Sequence, residues 1–71
     1  MSGPAWIVSV QACPYSDCTD VRVTMKIGGG KDDLHSMEAI PNPCTSVELR
    51  ASVRRQKADL IHWNATGQGH G

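Results

Sequence analysis

The sequence predicts an α+β fold, a three-stranded antiparallel meander covered by one C-terminal helix in the order β-β-β-α. Three observations carry this. Two early segments alternate apolar and polar residues with the period of a strand, a run of glycines forces a tight turn after the second, and a capping signal opens a long run of helix formers near the end.

The first strand is Ala5 to Ala12, AWIVSVQA, in which Trp6, Val8, Val10 and Ala12 share one face. The second, Asp20 to Ile27, alternates more cleanly: Val21, Val23, Met25 and Ile27 face one way, Arg22, Thr24 and Lys26 the other. Both are rich in β-branched residues, which suit a pleated, half-buried surface. Gly28-Gly29-Gly30 then permits the positive φ angles of a hairpin turn. A weaker third strand follows over Asp33 to Ile40, and Pro41-Asn42-Pro43 ends regular structure. A loop as short as the glycine turn forbids a crossover, so the third strand lies beside the second and the first becomes an edge.

Thr45 to Trp63 admits two readings. As strands near 46–53 and 58–64 it would complete a five-stranded all-β small barrel, but the turn would fall on Arg54-Arg55-Gln56-Lys57, which has no turn-forming residue. As a helix it starts with Thr45 and Glu48 at capping-box spacing. At 100° per residue, Leu49, Val53, Leu60 and Trp63 then fall in a stripe about 80° wide. Asn64 and Gly67 supply a stop. The helix is the preferred reading. Residues 1–64 form a single small domain, and 65–71 are expected to be a flexible Gly-rich tail.

Composition narrows the function classes. The chain has 71 residues, zero formal net charge, and three aromatics: Trp6, Tyr15 and Trp63. Nothing in it has the length and apolarity of a membrane span, and no basic start precedes an apolar run as in a signal peptide. A soluble, cytoplasmic protein is expected, and the odd count of three cysteines suits a reducing compartment. Zero net charge argues against a bulk polyanion binder, although the charge is unevenly spread. Residues 1–44 hold three basic and five acidic side chains, residues 45–71 four and two.

Four features could carry chemistry. Cys13, Cys18 and Cys44 are gathered at one pole by the meander and are weak candidates for a zinc site, short of a fourth ligand; three ordinary reduced thiols are the plainer expectation, with no cofactor. Gly28-Gly29-Gly30-Lys31 lacks the pattern of a phosphate loop, since Asp32 and Asp33 follow and would repel a phosphate. Arg50, Arg54 and Lys57 form a basic stripe on the helix, suited to an acidic protein or to nucleic acid. The first strand carries no charge, nor does anything before Asp17, and an edge without charge is a template for pairing. It could pair with its own copy across a two-fold axis, giving a homodimer with one continuous sheet, or accept a partner's strand through Ile7, Ser9 and Gln11. No histidine or carboxylate pair is spaced for catalysis, so no enzyme is expected. The function expected first is a small non-catalytic interaction protein (a regulator, inhibitor or adaptor) that binds a protein partner. A nucleic-acid-binding module using the basic helix comes second, and a thiol or zinc module third.

Overall fold

A computed structural model describes residues 4–67 of the chain. Three strands, β1 (Ala5–Ala12), β2 (Cys18–Lys26) and β3 (Leu34–Pro41), are followed by one helix, α1 (Ser46–Thr66). The sheet is antiparallel in the order β1-β2-β3, so the expected β-β-β-α architecture is present and the barrel alternative is excluded. The triple-glycine turn closes with Lys31 N–H donating to the Gly28 carbonyl, all three glycines having positive φ. The Asn42–Pro43 peptide is cis, and the Asn42 N–H donates to the Asp17 carbonyl, which joins the end of β3 to the β1–β2 loop.

The N-terminus of α1 is capped as its sequence requires. The Thr45 hydroxyl accepts from the Glu48 N–H, and the Glu48 carboxylate accepts from the Thr45 N–H in return. These bonds satisfy amides that have no partner inside the helix. The helix ends at Gly67 in the left-handed conformation. Ala65 and Thr66 are thus the last residues of the helix rather than the start of a tail, and 68–71 lie outside the described residues.

Register places the core. Val10 faces Val21, Val8 faces Val23 and Trp6 faces Met25, all on the helix side of the sheet. From β3, Leu34, Ser36, Glu38 and Ile40 join that side. Val23, Met25 and Leu60 are buried together, with Trp6, Ile27, Leu34, Val53 and Trp63 packed around them. Burying such side chains stabilises the fold by roughly 1.5–3 kcal/mol each.

The buried stripe of α1 is not wholly apolar. Leu60 and Val53 lie on it as expected, but Ser52 and Gln56 are its most enclosed polar members. Gln56, only 3% exposed, donates from Nε2 to the Val21 carbonyl and to Ser52 Oγ, both at 3.0 Å. These bonds fix α1 axially against the central strand. They leave Gln56 Oε1 without a hydrogen-bond partner among the described residues.

Candidate protein-binding edge

The helix does not sit over the middle of the sheet. It packs on β2 and β3 and meets β1 at its margin, where Lys57 Nζ lies 5.3 Å from the Trp6 ring centroid. On the far flank Arg55 reaches β3 and grips Glu38, with Nη2 to Oε1 at 2.6 Å and Nε to Oε2 at 3.4 Å. This offset leaves the helix side of β1 uncovered. Val21 and Val23 are 0% exposed, whereas their partners Val10 and Val8 are 51% and 44% exposed. Every residue of β1 except Trp6 is exposed.

The backbone of β1 has a definable free edge. The Cys13 N–H donates to the Cys18 carbonyl, one position beyond the Ala12–Thr19 pair. In an antiparallel ladder, hydrogen-bonded and non-hydrogen-bonded pairs alternate. Ala5, Ile7, Ser9 and Gln11 therefore direct their backbone groups to β2, while Trp6, Val8, Val10 and Ala12 direct theirs outward. The residues with free backbone groups are also those whose side chains face the helix side.

This changes which residues define the edge. Ile7, Ser9 and Gln11, singled out from the sequence, are exposed, but they lie on the face opposite the helix and their backbone groups are used within the sheet. Val8 and Val10 are the residues sequence reasoning missed. Their place on the apolar face marks them as core, and only the offset of α1 leaves them open.

Of the basic stripe, Arg50 and Arg54 are exposed and make no ion pair among the described residues, while Lys57 is held against Trp6. Because Lys57 lies toward β1 and Arg55 toward β3, the flank carrying Arg50 and Lys57 overhangs the β1 side. Helix geometry puts Arg50 and Arg55 at mirror positions, each about 110° from the centre of the buried stripe. The open strand and Arg50 thus share one side of the molecule, while Arg54 lies nearer the back of the helix, about 150° from that centre. Arg55 holds the Glu38 carboxyl below its ordinary value of 4.5, helped by the Ser52 hydroxyl and opposed by partial burial.

The cysteines do not form the expected set. Cys13 and Cys18 are joined in a disulfide, and Cys44 alone is free, which corrects the expectation of three reduced thiols. The pairing follows from register, since residues 13 and 18 extend the β1–β2 ladder by one pair. It also removes the support that an odd cysteine count lent to a reducing compartment. The three sulfurs do share a pole, but the sheet divides them. Cys18 lies on the face opposite the helix, whereas Cys44 Sγ is 3.6 Å from the hydroxyl of Thr19, on the helix side. The side chains that could converge on a metal are Cys13, Cys18 and Asp20, without Cys44, and the disulfide occupies both sulfurs. Asp20 Oδ1 lies 3.3 Å from Cys13 Sγ. A carboxylate there repels an incoming thiolate and shields the bond from exchange. The disulfide also closes the loop that presents Tyr15, which is 97% exposed.

Among the described residues no helix is long and apolar enough to cross a membrane. Comparison of the chain with protein-family models, with curated proteins and with solved structures finds no match.

Proposed function

We propose that this chain is a non-catalytic protein-binding module that engages its partner by strand addition at β1. The single observation that carries the reading is the state of β1. It is an edge strand whose outward backbone groups have no partner strand among the described residues, with no charged residue and with two valines about half exposed beside the fully buried Val21 and Val23. Soluble proteins usually blunt such an edge with charge, proline or a covering segment. A partner strand would satisfy the outward N–H and C=O groups of Trp6, Val8, Val10 and Ala12, and its alternate side chains would lie against the valines.

The nucleic-acid reading has less support. Of the four basic residues between 50 and 57, Arg55 is neutralised by Glu38 and Lys57 is committed to Trp6. Two free cations are a small footprint for a polyanion. The thiol-metal reading requires the disulfide to be reduced first.

A photo-crosslinking amino acid placed at Val8 or Val10 tests the proposal in the cell that makes the protein. It should give a covalent adduct with a protein, a second copy of the chain included. The same probe at Met37, somewhat more exposed but on β3 and on the opposite face, should give none. Adducts from Met37 alone, or from no position, would overturn the reading.

A further inference from the structure

Resting on the reading that β1 is the docking edge, we infer what occupies it: an extended, glutamate-bearing segment of another protein, added as a fourth strand, whose carboxylates are bound by Arg50 with Arg54 beside it.

The molecule already contains this interaction on its other flank. Glu38 is a helix-facing residue of β3, and Arg55 reaches down from α1 to hold its carboxylate at both oxygens. Arg50 is the mirror of Arg55 across the buried stripe, but the strand on its flank offers only apolar side chains, Val10 and Ala12 among them. The geometry is that of one flank satisfied from within and one left to be satisfied from outside.

Position along the axis agrees. Gln56 donates to the Val21 carbonyl and Arg55 holds Glu38, so this part of α1 stands level with the Val10–Val21–Glu38 row. At about 1.5 Å per residue, Arg54 and Arg50 lie about 3 and 9 Å back along the helix from Gln56. Leu60 packs on Val23 and Met25, so that direction runs toward Thr19 and its partner Ala12, which is about 7 Å beyond Val10 along β1. Arg50 therefore flanks the stretch of β1 from Val10 to Ala12, while Arg54 stands higher on the helix, about 150° from the centre of the buried stripe. Residues of an added strand directly opposite Val10 and Ala12 would face the helix side. Glutamate suits those positions better than aspartate, because its two methylenes lie along these apolar side chains while its carboxylate extends toward the guanidinium groups.

A second copy fits the same edge less well. β1 has no carboxylate to offer the Arg50 of a second copy.

Synthetic fluorescein-labelled peptides of about eight residues, the length of β1, provide the probe. One alternates Thr and Glu, and a second replaces every Glu by Gln. Fluorescence anisotropy at low salt should show the Glu peptide binding about five- to tenfold tighter, the size expected of two exposed ion pairs. The Arg50→Gln/Arg54→Gln variant should bind both peptides alike, at the affinity of the Gln peptide. Val8→Pro should abolish binding of both, since it removes an outward N–H at an edge position where proline is tolerated, and Val10→Pro repeats this test should the first variant unfold. Equal affinity for the two peptides with loss on Val8→Pro would overturn the glutamate inference and leave the docking edge standing. A glutamate preference unaffected by both proline variants would overturn the docking edge as well. No binding of either peptide, with a sedimentation mass of two chains that Val8→Pro reduces to one, would make the occupant a second copy and overturn the inference.

Discussion

The two outer strands of this sheet are held in opposite ways. β3 lies under α1: Ile40 is buried, Leu34 packs on the core cluster, and Glu38 is gripped by Arg55. β1 is held by its ladder to β2, by the Cys13–Cys18 bond at one end and by the Trp6–Lys57 contact at the other, and its middle is open on both faces. Edge strands are equal in their unpaired backbone but not in what the fold does about it. Here one edge has the helix and a salt bridge beside it, and the other has a cross-link at one end and apolar side chains in water. The asymmetry arises because a single helix cannot cover three strands spaced about 4.8 Å apart. Gln56, bonded to the carbonyl of Val21 and to Ser52, helps determine where α1 settles.

The largest effect should come from setting the covered side against the open one. Leu60→Ala empties the buried cluster that α1 makes with Val23 and Met25, and should cost about 2–5 kcal/mol in urea unfolding. Val8→Ala, at a position level with Val23 but uncovered, should change stability by no more than about 0.5 kcal/mol. A comparable loss in both variants would mean that something covers β1 in the folded protein, and the contrast between the two edges would collapse.

Much of this contrast could not be seen in the chain alone, for physical reasons. The order of elements was legible because it rests on local signals: strand alternation in 5–12 and 20–27, the triple glycine, and the Thr45/Glu48 box. The lateral position of α1 was not, because it depends on Ser52 and Gln56, whose residue types place them on a surface. Their burial is compensated by a carbonyl and a hydroxyl that only the folded chain brings within reach. Ile7, Ser9 and Gln11 alternate with the apolar face of β1, whereas free backbone groups depend on the phase of the ladder, which residue types do not encode. The disulfide was hidden similarly. Residues 13 and 18 become neighbours only once the hairpin register is known, and Cys44 is placed across the sheet by the alternation of residues 18 and 19.

An intermediate effect should separate the two edges by mobility rather than by core packing. Replacing both Cys13 and Cys18 by Ser removes the cross-link at the end of β1 and should cost about 2 kcal/mol, as expected for a short closed loop. Under conditions where the protein stays folded, amide exchange should accelerate for the β1 amides that bond to β2, those of Ile7, Ser9 and Gln11. The β3 amides should keep their protection, since α1 holds that edge. Uniform acceleration across the sheet would show that β1 and β3 open as one unit and that the disulfide serves the whole fold.

The smallest effect concerns the ion pair that closes the β3 edge. The Glu38 carboxyl titrates below its ordinary value because Arg55 and then Ser52 favour the charged form. A carboxyl whose pKa is lowered by folding contributes stability above its unfolded value, and that contribution is lost as pH falls through the lower, folded one. Glu38→Gln should therefore destabilise slightly at neutral pH, and variant and parent should converge in acid once Glu38 is protonated in both states of the parent. The difference is small because both partners reach solvent, with side chains 59% and 35% exposed for Arg55 and Glu38. Added salt should shrink it further at neutral pH. If the Glu38→Gln deficit instead persisted unchanged into acid, the carboxylate charge would not be what holds the edge. The contact with Arg55 would then act through packing alone, and the mirrored role proposed for Arg50 would lose its internal precedent.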